Sequence, residues 1–320
     1  MRAPRGSLPG ALEGHSWTTP CSFLGLEPAA TVWDEAEAVI LPIPYEATTS
    51  WGAGTREGPR AILEASRYLE PYDEELDTEP YRIGVCTLPA VDLTRAGPEA
   101  AVAQLRELYR DLLEVAGDRL VIGLGGEHSI SSAPAWAWVD RLDGELTVLQ
   151  FDAHADLRDR YGGTPWSHAC VMRRILERAS RVVSVGVRAL TTEERKVIGA
   201  AGVETIFAHE MRRPGWVERA LSALGPHVYV TFDVDFYDPS LVPATGTPEP
   251  GGGDWWQALE LLAPVFRERN VVGADVVELA PREGEAASAT VAAKLVYKMI
   301  GFHARRRGLP PLARQAEEDG

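Results

Sequence analysis

Eight short runs of apolar, largely β-branched residues recur along the chain, at 38–43, 82–88, 120–124, 145–151, 181–187, 203–207, 227–232 and 271–277. They read as continuous Val/Ile/Leu stretches rather than as alternating apolar and polar positions. That pattern predicts strands buried on both faces, as in a parallel sheet covered by helices on each side. Between them, helical periodicity predicts helices over 58–69, 98–115, 192–201, 215–224, 254–268 and 286–302. The strand–helix alternation continues without a composition break, a linker or an internal repeat, which predicts one α/β domain. Eight strands also suit a closed (β/α)8 barrel, so pattern alone leaves open sheet and barrel in competition.

Composition removes several classes of function. The 320 residues are 45% hydrophobic and 25% charged, an ordinary globular balance that excludes global disorder. With 32 Lys+Arg against 47 Asp+Glu the formal charge is −15, which argues against binding to a nucleic acid duplex. The one basic run, Arg305-Arg306-Arg307, is read as part of a C-terminal tail over 305–320. Residues 1–20 are rich in Pro, Gly and Ser and read as a loose arm, leaving 21–304 as the domain. No apolar run approaches the ~18–20 residues of a membrane span, and residues 1–17 lack the apolar core of a signal peptide. Cys21, Cys86 and Cys170 cannot all pair and show no CxxC spacing, so neither a disulfide framework nor a thiolate zinc site is expected. A cytoplasmic protein is expected.

Ionisable residues gather where the strands end. Thr147–Phe151 leads into Asp152-Ala153-His154-Ala155-Asp156, and 229–232 leads into Asp233-Val234-Asp235 with Asp238 close behind. Residues 121–124 lead into Gly125-Gly126-Glu127-His128, and Asp275-Val276-Val277 into Glu278. On an extended segment, side chains at i, i+2 and i+4 point the same way, so Asp152, His154 and Asp156 should converge, as should Asp233 and Asp235. Taken singly, these are features of Asx turns, helix caps and core histidines. Four together, at the strand ends where open α/β sheets bind ligands, make a site. Five or more converging carboxylates repel one another unless a cation lies among them. Six candidate ligands (His128, Asp152, His154, Asp156, Asp233, Asp235) exceed one tetrahedral ion and suit two ions sharing bridging carboxylates. Four Asp and two His with no thiolate favour manganese over zinc.

The segments Gly125-Gly126-Glu127-His128-Ser129, 151–156 and 231–239, with the run 242–252 that follows, resemble the signatures of the ureohydrolase (arginase/agmatinase) family. The resemblance spans about 39 to about 303. It implies a three-layer α/β/α arginase-like fold with an eight-stranded parallel sheet, favouring the open sheet. It implies two Mn2+ per chain, one held by His128, Asp152, Asp156 and Asp233, the other by Asp152, His154, Asp233 and Asp235, with Asp152 and Asp233 bridging. Asp156 would also orient the attacking water and pass its proton to the leaving amine, Glu278 would pair with the substrate guanidinium, and His168 would act as proton shuttle near the leaving group. The chain departs from the family pattern at two non-ligand positions, with Glu127 where Asp is usual and Ala244 where Gly is usual. A homo-oligomer, trimer or hexamer, is also implied, and apolar helix faces in the C-terminal third would permit it.

The segments 43–50, 52–55 and 167–174 resemble agmatinases of the archaeal and thermophile type. A small cationic guanidino substrate follows, agmatine first, with N1-aminopropylagmatine as the alternative. Arginine, guanidinobutyrate and formiminoglutamate stay open, their anionic tails needing a cation such as Arg158 or Arg160. An inactive metal-binding regulatory homologue is the reading from outside enzymology. Trp166, at the expected mouth, and Cys170 read as packing residues.

Overall fold

A computed structural model describes residues 21–26 and 33–310, so the expected arm at 1–20 and the end of the tail lie outside the described residues. The eight apolar runs form β1 (Ala38–Ile43), β2 (Val85–Thr87), β3 (Leu120–Gly125), β4 (Thr147–Phe151), β5 (Arg181–Val187), β6 (Glu204–Phe207), β7 (His227–Asp233) and β8 (Asn270–Val277). All pair in parallel, in the order β2-β1-β3-β8-β7-β4-β5-β6. β2 and β6 are free edges among the described residues, so the sheet is open and the barrel is excluded.

Among the described residues eight α-helices cover it: α1 (Gly58–Ser66), α2 (Pro98–Ala116), α3 (Ser132–Arg141), α4 (Val171–Leu176), α5 (Thr192–Ala201), α6 (Trp216–Ala223), α7 (Trp255–Glu268) and α8 (Ala287–Arg306). Ile40, Ile122, Val230 and Val276 face one core shared with α1, α6, α7 and α8. Val39, Val121, Val148 and Val272 face the other, shared with α2, α3, α4 and α5. Alternate residues of each strand thus feed opposite cores, which is why the strands read as unbroken apolar runs. The helices are closed by recognisable signals: Pro98 opens α2 in its first turn, Thr191 and Glu194 form a capping box on α5, and Asp254 and Gln257 one on α7.

Three expectations shift. β2 begins at Val85 rather than 82, because Pro80–Ile83 forms a 3-10 turn. Gly84 then crosses Glu35 so closely that a Cβ would stand 2.3 Å from its carbonyl oxygen. α3 has no sequence counterpart above, since every residue from Ser132 to Val139 is buried and no polar face marks its period. The apolar faces of α7 and α8 pack largely on the chain's own core, while Trp256 on α7 stays 65% exposed. The basic triplet does not start a tail: α8 runs through Arg306. Arg305 donates to the Leu76 carbonyl at 3.0 Å, Arg306 to those of Phe266 and Arg269, and Arg307 pairs with Glu37 at 2.9 Å. Cations at a helix C-terminus also complement its dipole.

The same turn holds His303, buried, with no hydrogen bond to Nε2 among the described residues. Burial, then the charges of Arg307 and Arg306, push its ring down to about 4. Unfolded, the ring titrates near ~6.5, so the unfolded chain binds the extra proton first and stability is lost as pH falls from about 6.5 toward 4. Between pH 7.5 and pH 5 this single group should cost about 2 kcal/mol. His303→Gln should flatten the pH dependence of urea unfolding by that amount, and identical slopes in both proteins would refute the assignment.

Candidate metal centre

β3, β8, β7 and β4 are consecutive neighbours at the middle of the sheet, so the four strand ends singled out above lie side by side. Their turns are laced together by peptide groups. His154 N donates to Asp152 Oδ1 at 2.5 Å, Asp235 N to Asp233 Oδ1 at 2.8 Å, and Ala153 N to Asp235 Oδ1 at 2.9 Å. On the β3 side, a Cβ on Gly126 would stand 1.9 Å from Tyr45 O, so only glycine lets this turn close against the loop after β1.

Two clusters result. His128 Nδ1 lies 3.1 Å from Asp152 Oδ2, 3.1 Å from Asp156 Oδ2 and 3.4 Å from Asp233 Oδ2. His154 Nδ1 lies 2.9 Å from Asp235 Oδ2 and 3.6 Å from Asp152 Oδ1. All six candidate ligands therefore converge. Asp152 turns one oxygen to each cluster and spans them. Asp233 faces the first with Oδ2, and its Oδ1 accepts the Asp235 amide.

The donor set fits a cation. His128 Nε2 lies 2.9 Å from Thr231 Oγ1, whose own hydrogen goes to the acceptor-only carboxylate of Asp275 at 2.7 Å. Thr231 must then accept from Nε2–H, leaving the Nδ1 lone pair buried, without a hydrogen bond, among three carboxylates. Burial opposes charge on His128, yet Asp152, Asp156 and Asp233 outweigh it and hold the ring well above its ordinary range. The spot attracts positive charge, as a proton or as a metal ion. Burial, with the charge of Asp152 beside it, pushes Asp156 up to about 7. Burial and the charge of Asp235 hold Asp233 well above the usual carboxylate range.

Asp156 and Glu278 adopt left-handed backbone, at φ 52° and 64°. For a non-glycine residue that conformation costs on the order of 1–3 kcal/mol and is a mark of functional positions. Glu278 Oε1 accepts the His128 amide at 2.6 Å and lies 3.7 Å from His168 Nδ1. Burial lifts this carboxyl well above its usual range. Its Oε2 has no hydrogen bond among the described residues. Burial, then the fields of His128 and His154, bring His168 down to about 4, and its amide donates to Thr48 Oγ1 at 3.0 Å. Glu127, fully buried, accepts from Ala47 N, Thr48 N, Thr48 Oγ1 and Ser129 Oγ at 2.6–2.7 Å, so the acid in place of Asp anchors the loop that seats His168.

A cavity of about 280 Å³ opens over the clusters, walled by His154, Asp156, Asp233 and His168 together with Ser50, Arg158, Tyr161, Glu249 and Thr247, whose Oγ1 lies 3.5 Å from Asp235 Oδ2. Glu278 is not on that wall. A larger groove of about 720 Å³, beside Pro44, Arg56, Leu63 and Arg95, holds none of the candidate ligands. Trp166 packs edge-on against Trp136 with ring centroids 5.4 Å apart and does not line the cavity. Cys170 is buried, its thiol pushed up by burial to about 11. Arg160 donates to Gly163 O at 2.7 Å and is absent from the wall. The sequence reading missed Thr231 and Asp275, although Thr231 shares the i, i+2, i+4 face with Asp233 and Asp235, and register pairs it with Asp275.

A model of the arginase family matches residues 36–301. That span exceeds half the chain. The chain belongs to the arginase family. It is 38% identical to the N(1)-aminopropylagmatine ureohydrolase of Synechocystis sp. over 288 residues, covering 88% of this chain and 94% of the relative. It is also 38% identical to the agmatinase of Pyrococcus horikoshii over 272 residues, covering 85% and 93%. The solved agmatine ureohydrolase of Thermoplasma volcanium superposes with a TM-score of 0.79 at 27% identity, covering 88% of this chain and 96% of that one. The fold is accordingly arginase-like. Ala244, in place of the usual glycine, is buried in the core, and its carbonyl accepts the Ala280 amide at 2.9 Å.

Chelator-stripped protein reloaded with manganese should bind two ions per chain by elemental analysis. Asp235→Ala should lose one, and Asp152→Ala, which removes the residue spanning both clusters, should weaken both. A ratio near zero in the reloaded wild type would refute the metal centre.

Proposed function

We propose that this chain is a dinuclear manganese hydrolase that cleaves the guanidinium group of agmatine, giving putrescine and urea, with N1-aminopropylagmatine as the closest alternative substrate. The carrying observation is the pair of carboxylate–imidazole clusters that share Asp152 beneath a cavity. Similarity to relatives named for both substrates supports the class and does not separate the two. Four Asp and two His without a thiolate favour manganese.

Bound metal supplies a water activated for attack near neutral pH. The chain's own residues do the rest. Asp156, whose affinity for a proton burial has raised, accepts the proton of the attacking water at its carboxylate. Glu278, behind the wall at 3.7 Å from His168 Nδ1, would pair through its free Oε2 with the guanidinium, and the incoming cation would restore the charge that burial disfavours. A C–O bond forms at the guanidinium carbon and the C–N bond to the alkyl amine breaks. His168, neutral and on the cavity wall, relays the proton to the departing nitrogen, so water and guanidine become urea and amine. We propose also that the chain works as a homo-oligomer; Trp51 and Tyr68, each 85% exposed, and Trp256 on α7, 65% exposed, support an apolar interface. No helix among the described residues is long and apolar enough to cross a membrane.

Glu278→Gln should leave metal content unchanged and lower kcat/KM for agmatine at least about tenfold, the loss expected for ~1.4 kcal/mol of a charge-assisted pair. Loss of an ion would make Glu278 a ligand, and full activity would place the guanidinium partner elsewhere. Urea should be the product, and citrulline would refute the reaction. Light scattering at micromolar concentration should give a trimer or hexamer, against which a monomer mass would count.

A further inference from the structure

We infer that Glu249 selects substrates by the charge of their tail, acting as counter-ion to an ammonium group carried beyond the guanidinium. This rests on reading the cavity as a guanidinium-cleaving site. The charges on the outer wall decide the sign. Glu194 is spent: its carboxylate accepts Leu157 N at 3.1 Å, Thr191 N at 2.8 Å and Thr191 Oγ1 at 2.9 Å. Arg158, the cation that could have received an anionic tail, lies 4.7 Å over the Tyr161 ring with Nε 4.0 Å from Glu194. Glu249 differs from both. Its half-buried carboxylate makes no hydrogen bond or ion pair among the described residues, although it lines the same wall.

Its station is fixed. The Glu249 carbonyl accepts from Arg188 Nε at 3.2 Å and Nη2 at 2.8 Å. The same guanidinium donates to the carbonyls of Asp235 at 2.7 Å and Gly186 at 3.0 Å. Arg188 carries the charge whose field reaches Glu249, but every N–H it gives goes to a carbonyl, so the carboxylate is left for a ligand. A carboxylate whose backbone is held at a set place relative to Asp235 favours a cation within the reach of its side chain, and it repels a tail that ends in a carboxylate.

The test uses three guanidines of matched chain length: agmatine with an ammonium tail, n-butylguanidine with a neutral one, and 4-guanidinobutyrate with an anionic one. Metal-loaded Glu249→Gln, nearly isosteric, should raise KM for agmatine at least about tenfold and change kcat little, as expected for a contact remote from the chemistry. Its kcat/KM for butylguanidine should stay at the wild-type value. Glu249→Lys should raise the guanidinobutyrate-to-agmatine ratio of kcat/KM. Equal losses on agmatine and butylguanidine would make Glu249 structural, and no change on either would leave it without a role; both overturn the inference while the hydrolase reading stands. Wild-type protein that releases urea from none of the three would overturn both.

Discussion

Everything near the carboxyl ends of the four central strands follows from burying acids together. Removing a carboxylate from water is expensive, and several side by side multiply the cost. The fold meets part of it with peptide dipoles: Asp152, Asp233, Asp235 and Glu278 each hold one oxygen against a backbone N–H from a strand-end turn. For the three aspartates the opposite oxygen points at His128 or His154. Peptide groups thus neutralise the outer side of the cluster and leave an inner side that a cation must complete. The left-handed backbone at Asp156 and Glu278 belongs to the same arrangement, since it turns a carboxylate inward where an ordinary strand exit would not.

The sheet order makes this possible. β3, β8, β7 and β4 lie far apart in sequence yet adjacent in space, and both flanks are closed by further strands. That shields the cluster from water, so electrostatic preferences there are stronger than in a surface acidic patch. The network behind His128 extends the principle inward: Asp275 accepts from Thr231 and from Tyr229, each at 2.7 Å, and Thr231 fixes which ring nitrogen faces the carboxylates.

Much of this was legible in the sequence because its signals are local. Unbroken apolar runs located all eight strands, and period-two spacing paired Asp152 with His154 and Asp233 with Asp235. Strand ends bearing Asp, His and Glu marked the site. Non-local features were not legible. Thr231 gains its meaning only beside Asp275 on a neighbouring strand, a contact set by register rather than spacing. α3 is buried on all sides and so carries no period. The basic triplet 305–307 looked like solvated tail because its acceptors, Leu76, Phe266, Arg269 and Glu37, are distant in the chain. Glu127 looked like a minor departure from a motif, while three of its four donors come from Ala47 and Thr48, 79 to 80 residues away in the chain.

Arg188 ties the two functions of the cavity to each other. Candidate ligands sit on strand ends, where the sheet makes them rigid, whereas the groups farther out sit on loops, which change shape more readily. One guanidinium gathers carbonyls from both, from Asp235 through Tyr237 on the ligand turn and from Glu249 on the outer loop. Five N–H donors in a planar fork suit this task; a lysine ammonium offers three and no fixed plane. The loop that would read the substrate tail therefore takes its position from the turn that carries the candidate ligands Asp233 and Asp235. Substitutions of the Glu249 side chain leave that link intact, because Arg188 holds only the backbone. Tail preference can thus be altered there while the geometry around Asp235 stays as it is.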